Sequence, residues 1–341
     1  MKKIKYLTFS MILSLFIVSC SSDDDNNEMP PTNLRSELYA TNNTNGNVTK
    51  YDVSDMNAIT SETYLTLSTD SEGIYLDDSN DELTIASRSL LQLNTFADIS
   101  TADDGVTLNA GLSTGSILIS PRDIAVSGNN YVVSDNSDVD GDPNTEDGRF
   151  FVFTRTSTGL ELRNTITVDF SVWGIEFVGN NLFAIVDKTN QLAVFNNFIA
   201  TNTTNTSVTA SKKIVIQSIV RTHGIAFDNG TMILTDIGDA TIDSDGGFHI
   251  ITDFEAKFNA LDNGETLVVQ DNQIRVAGSS TFLGNPVAAE YDAESNTVFI
   301  AERANGGGRI LAFTNVVDGG NIAPTINNTL NGASSLYFYR E

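Results

Sequence analysis

The chain has 341 residues, 40% of them hydrophobic and 18% charged. That is enough to bury a core as one large domain or two small ones, and it argues against wholesale disorder. Nineteen basic residues against 44 acidic ones give a formal charge of −25, and a polyanion repels phosphate backbones, so no nucleic-acid partner is expected.

In chain order, Met1-Lys2-Lys3-Ile4-Lys5 is a basic opening to an apolar stretch from Tyr6 to Val18. That stretch is too short to span a bilayer and suits a secretory signal. It ends in Ile17-Val18-Ser19-Cys20, which resembles a bacterial lipobox. The resemblance implies removal of residues 1–19 and lipid attachment at Cys20; the alternative is a buried core thiol. Because Cys20 is the only cysteine, no disulfide can form. Removing residues 1–19 takes away three lysines and no acid, which moves the charge to −28. Residues 20–35, with the run Asp23-Asp24-Asp25 and Pro30-Pro31, hold too little apolar surface to fold and read as a flexible acidic tether. Acids just after the lipidated cysteine resemble the export tag of surface lipoproteins. The expected address is therefore the outer membrane, lipid-anchored and facing the cell exterior, although the same acids also suit a plain solvated spacer.

From residue 36 to 341, short β-branched and aromatic runs alternate with Asn, Asp and Gly turns, and helical periodicity is almost absent. A unit recurs: a Gly-Ile-x-aromatic-Asp segment, a turn, then an apolar strand ending in Thr/Ser-Asp. The clearest copy runs from His223-Gly224-Ile225 through Thr235-Asp236. Aligned on Ile74, Ile124, Ile175, Ile225 and Ala289, the copies are separated by 50, 51, 50 and 64 residues. Each unit has room for four strands, and the longer fifth unit has space for a short surface helix around Phe254–Ala260.

Ser335–Tyr339 reads as a first strand with nothing after it, while Leu38–Asn42 and Asn47–Tyr51 read as second and third strands with no first strand before them. Joined, they complete a blade, and the ring loses its free edges. The expected fold is all-β: a six-bladed β-propeller of four-stranded blades, closed by its C-terminal strand. A pair of β-sandwiches is the rival, but it explains neither the even spacing nor the complementary ends. Gly224-Ile225-Ala226-Phe227-Asp228-Asn229-Gly230 followed by an apolar strand and Thr235-Asp236 resembles NHL repeats and the related gluconolactonase-like propellers, over nearly all of residues 36–341.

In such a ring, the residues entering the innermost strands crowd one channel mouth. Here they are Glu72, Arg122, Trp173 and His223, a polar-aromatic set suited to a ligand. Each also has a structural reading: Arg122 pairing with Glu72 or Asp123, Trp173 plugging the channel, His223 satisfied in a turn. His249, the other histidine, reads as packing. The gluconolactonase resemblance implies a central divalent metal held by a glutamate before a first-strand glycine. Only Glu72-Gly73 matches; Trp173 and His223 stand where those enzymes place asparagine.

Asp135–Asp147 carries carboxylates at alternate positions, and a turning backbone there would aim Asp138, Asp140 and Asp142, with Glu146 beyond, at one calcium ion. The loop resembles a calcium loop but departs from the EF-hand, with Arg149 in place of the closing glutamate; a solvated loop is the alternative. Asp236, Asp239, Asp243 and Asp245 are spaced too irregularly and read as solvated, while Asp135, Asp187 and Asp236 read as turn caps. No nucleophile elbow, zinc cluster or P-loop is visible. The functional expectation is a surface-tethered module that binds a protein or glycan partner of the envelope. The alternatives are a metal-dependent lactonase or esterase with His223 as base, or an accessory subunit whose channel Trp173 seals.

Overall fold

Runs that are apolar at every position, rather than at alternate ones, need cover on both faces of the sheet. In the computed structural model, which describes residues 35–314 and 316–341, they have it. Second strands such as Thr231–Asp236 and Thr297–Glu302 are buried along their whole length, sandwiched between neighbouring blades. Outermost strands such as Thr60–Tyr64 are exposed or half-buried except at one residue, Tyr64. The expected signal segment 1–19, the expected lipid attachment at Cys20 and the expected tether as far as residue 34 lie outside the described residues.

Six antiparallel sheets form the blades of a β-propeller. Blade 1 joins Ala333–Arg340, as its innermost strand, to Ser36–Asn42, Val48–Asp52 and Thr60–Tyr64. The innermost strands of blades 2 to 6 are Ser71–Asp77, Pro121–Ser127, Val172–Val178, Ile225–Asp228 and Pro286–Asp292. Each touches the next, and Ala333–Arg340 touches both the sixth and the second, so the ring is closed. At the seam Leu38 pairs with Phe338, Tyr39 with Tyr337 and Ala40 with Leu336. The Thr41 and Ser334 hydroxyls meet at 2.9 Å across it.

Blades 3 and 4 each gain a fifth strand, Thr206–Val208 and Thr266–Leu267, added parallel to their outer edge by a segment from the following blade. The added strands cover edges that would otherwise expose unpaired backbone. The extra length of the fifth unit forms the helix Phe254–Asn259 and then the strand Thr266–Leu267. The helix is not a mere surface feature, because Phe254 and Phe258 are buried edge-on against Phe183 of blade 4 at 5.2 and 5.0 Å.

The core is divided into six clusters, each between two adjacent blades. Between blades 3 and 4, Phe150 meets Phe195 and Phe198 edge to face at 5.4 and 5.5 Å. Near the axis the strands crowd, which explains the recurring Gly-Ile. A Cβ on Gly174 would lie 2.3 Å from the carbonyl oxygen of His223, and one on Gly224 would lie 2.8 Å from Ala288 Cα.

Candidate functional site

The innermost strands of blades 2, 3, 4 and 6 each carry a register shift where they enter the sheet: Glu72/Ile74, Pro121/Asp123, Val172/Ile175 and Pro286/Ala288. Such bulges re-aim side chains, and these sit at the positions that face the channel mouth. In blade 5 the side chain of Thr235 does the same work, accepting from the amides of His223 at 3.3 Å and Gly224 at 2.8 Å.

The four residues expected at the mouth form one continuous chain of contacts. Glu72, 1% exposed, accepts from Arg122 at 3.4 Å. The Arg122 guanidinium lies 4.1 Å from the centre of the Trp173 ring. Trp173 stacks on His223 with centroids 3.7 Å apart and an interplanar angle of 2°. His223 then meets Asp187 through Nε2 at 3.0 Å. Arg122 therefore pairs with Glu72 and not with Asp123, whose oxygens accept from the amides of Ile124 and Ile175, each at 2.9 Å.

Burial sets the charge states along this chain. It pushes the Glu72 carboxyl above its ordinary range, against the pull of Arg122, Arg88 and Arg303. It lowers Arg122 and also His223, the latter against the opposing bond to Asp187, so the imidazole is neutral at pH 7. Burial works the other way on Asp187, but the His223 bond and the Lys188 amide outweigh it and hold the carboxylate below its ordinary range. With Nε2 donating to Asp187, Nδ1 of His223 is left as a buried acceptor with no hydrogen-bond partner.

Asp187 was legible only as a turn cap, and its neighbours in the repeat behave that way. Asp135 accepts from the amides of Ile119 and Ser120 at 2.8 and 2.7 Å, Asp236 from Val220 at 2.8 Å, and Glu302 from Gly284 and Asn285 at 2.9 Å. Each holds the loop that enters its own blade. Asp187 takes the Lys188 amide at 2.7 Å and otherwise reaches across to His223 of the next blade. The other residues missed in the sequence are Arg88, whose guanidinium is 3.6 Å from Glu72, and Asn43, which donates to Glu72 at 3.3 Å and accepts from Arg303. They follow second strands, a position with no shared residue type to flag it.

A divalent ion at Glu72 would face Arg122 and Arg88, two guanidinium groups within 3.6 Å, and not the oxygens that a hard cation needs. The acidic loop of blade 3 is arranged differently from the alternating pattern. Asp138 and Asp140 gather with Asp147, their oxygens within 4.8 Å of one another. Asp142 instead accepts from Asn144 at 2.7 Å, and Glu146 pairs with Lys188 at 3.0 Å. Asp147 joins because its oxygens accept from the amides of Val139 and Asp140, which curls the loop back on itself. His249 is fully buried in its third strand, with Nδ1 2.7 Å from Gln273 Oε1.

No family model and no curated protein matches the chain. Solved structures do. A chain of a nidogen/laminin complex is 11% identical, with a TM-score of 0.59 over 89% of this chain and 98% of that one. A candidate 6-phosphogluconolactonase from Bacteroides fragilis is 9% identical, with a TM-score of 0.56 over 90% and 98%. A protein of unknown function from Bacteroides caccae is 12% identical, with a TM-score of 0.54 over 90% and 100%. These are likenesses of fold. They span a binding protein and a lactonase-like one, and at such identities they carry no activity with them.

Proposed function

We propose that this protein is a binding module that presents the mouth face of its propeller to a protein or glycan partner of the cell envelope, tethered to the outer membrane by lipid on Cys20. The observation that carries the reading is the contact chain Glu72–Arg122–Trp173–His223–Asp187, which ties blades 2 to 5 together across the channel mouth. Ring closure does not require it. Asp187 is withdrawn from the loop-holding role of its counterparts in order to complete it. The chain holds flat, rigid side chains and paired charges in place before a partner arrives, which lowers the ordering cost of binding.

A gluconolactonase-like reaction is the weaker reading. Glu72, the one residue that matches that pattern, is engaged with arginines. The Asp187–His223 pair has the form of an oriented base, but Nδ1 of His223 has no hydroxyl or thiol hydrogen-bonded to it, and the one cluster of three carboxylates among the described residues lies in the blade 3 loop. Calcium belongs, in this proposal, to the exposed loop of blade 3 through Asp138, Asp140 and Asp147.

The test is to purify the lipidated protein from membranes after cross-linking, and to probe a glycan array with wild type and with Arg122→Ala and His223→Ala. A partner or glycan retained by wild type and lost by both variants supports the reading. Recovery of nothing in either experiment refutes it, and turnover of a lactone panel that is lost in Glu72→Gln would replace it with the enzyme.

A further inference from the structure

Below the mouth, the position after the aligned residue of each innermost strand is in turn Tyr75, Ala125, Glu176, Ala226, Glu290 and Tyr337. All but Ala226, which packs in the core between blades 5 and 6, line the central cavity of about 370 Å³. The small Ala125 leaves room, and the two glutamates and two tyrosines face it. We infer that this channel binds an organic ammonium ion, held by Glu176 and Glu290 with its carbon skeleton against the rings of Tyr75 and Tyr337.

No side chain satisfies these four groups. Asp123 is committed to two backbone amides and Asp228 to the amide of Ala293 at 2.8 Å. Glu176 has only the backbone amide of Phe177, Glu290 has no hydrogen-bond partner, neither forms an ion pair, and the hydroxyls of Tyr75 and Tyr337 bond to nothing among the described residues. The two rings meet edge to face at 5.2 Å, and Tyr131 braces Tyr75 from outside at 5.4 Å. Two carboxyls enclosed without a counter-charge are unfavourable as anions, and a cation in the cavity removes that cost.

The cation has to be large. A single calcium ion needs oxygens about 2.3–2.6 Å from a common centre. Among the described residues, only Asp138, Asp140 and Asp147 bring three acidic oxygens within 4.8 Å of one another, so Glu176 and Glu290 do not converge on one ion with Asp123. An ammonium group on a carbon chain can reach one carboxylate while its methylenes lie on tyrosine faces, an arrangement that aromatic rings favour. Asp123, Asp228 and Glu176 all act to raise Glu290, so a cation entering this part of the channel relieves the repulsion among them. The inference goes beyond the mouth-face reading: its four residues are not those of the mouth, although Arg122, Trp173 and His223 line the same cavity.

The test is calorimetric titration of the full-length protein with n-butylammonium and putrescine chlorides, with sodium butyrate and calcium chloride as controls. Saturable binding of an amine is expected, at least tenfold weaker in Glu176→Gln and in Glu290→Gln, and unchanged in Asp142→Asn, whose carboxylate lies in the exposed loop of blade 3 outside the channel. Each glutamine is isosteric with a protonated glutamate, so the variants keep the fold, and circular dichroism checks this. Affinity should rise between pH 6 and pH 9, and buffers of different ionisation heat should report proton release on binding. The inference is overturned if neither amine binds at 10 mM on the scale of weak ligand affinities, if binding survives the double glutamine variant, or if calcium binds and is lost in that variant. Loss of a partner in Arg122→Ala with amine binding intact, or the reverse, separates this site from the mouth.

Discussion

The channel carboxyls should make the protein lose stability as the solution becomes alkaline, and Glu176→Gln should cancel part of that loss. Burial raises Glu176 from 4.5 to about 8, with Asp123 from the adjoining inner strand adding to the effect. Glu290 across the channel and Tyr337 complete its titratable surroundings. The native state therefore holds a proton that the unfolded chain has released, so stability falls as pH rises from about 4.5 through about 8. At about 1.36 kcal/mol per pH unit, the ceiling on this contribution is about 5 kcal/mol at pH 9, against about 1 kcal/mol at pH 5. Glu176 is half-buried and coupled to Glu290, which reduces the swing to about 2 kcal/mol. Urea unfolding of both proteins at pH 5, 7 and 9 measures it. The variant should match or slightly exceed wild type at pH 5 and exceed it by about 2 kcal/mol more at pH 9, a midpoint difference of several degrees on heating. Parallel pH curves for the two proteins would refute the reasoning, because they would mean that Glu176 ionises normally in the folded state.

Four other outcomes follow from the same geometry. Deleting residues 335–341 removes the strand that pairs Leu336, Tyr337 and Phe338 with Ser36–Asn42, and thermal unfolding should lose its single sharp transition; a truncated protein as stable as the full chain would mean that the ring does not need its seam. Gly174→Ala places a Cβ 2.3 Å from the carbonyl oxygen of His223 and should cost about 1–3 kcal/mol in denaturant unfolding; an unchanged midpoint would mean that the inner strands are not crowded there. Asp187→Asn should raise the solvent reactivity of His223 toward diethyl pyrocarbonate and cost about 1–3 kcal/mol, since it alters the one bond that orients the buried ring. In calcium titrations followed by the metal's own binding isotherm, the double change Asp138→Asn and Asp147→Asn should abolish any site while Asp142→Asn leaves it intact; the opposite ranking would restore the alternating-carboxylate arrangement.

Much of the architecture was legible along the chain because it rests on local chemistry repeated at a nearly constant interval. Gly-Ile marks where inner strands crowd, and Thr/Ser-Asp marks where a carboxylate or hydroxyl pins the loop entering the blade. The complementary ends, Ser335–Tyr339 and Leu38–Asn42, signalled closure without any structure. The placing of Glu72, Arg122, Trp173 and His223 at one mouth followed from the same register. What the repeat could not disclose is anything set by neighbours distant in sequence. Asp187 looks like Asp135 and Asp236 until the next blade delivers His223, and Asp147 enters the acidic cluster only because its loop curls back.

The channel glutamates show the division most plainly. Glu176 and Glu290 stand 114 positions apart in innermost strands, each followed by an aromatic residue, and along the chain nothing sets them apart from other charged residues. Only closure of the ring places them in one enclosed space without a counter-charge. The sequence determined that six similar units would form and where the chain would join, because hydrogen bonding, turn chemistry and apolar burial act over a few residues. The tertiary structure decided which charges meet and which are left unpaired, because electrostatic energy depends on distances through space and on the water excluded when the ring closes.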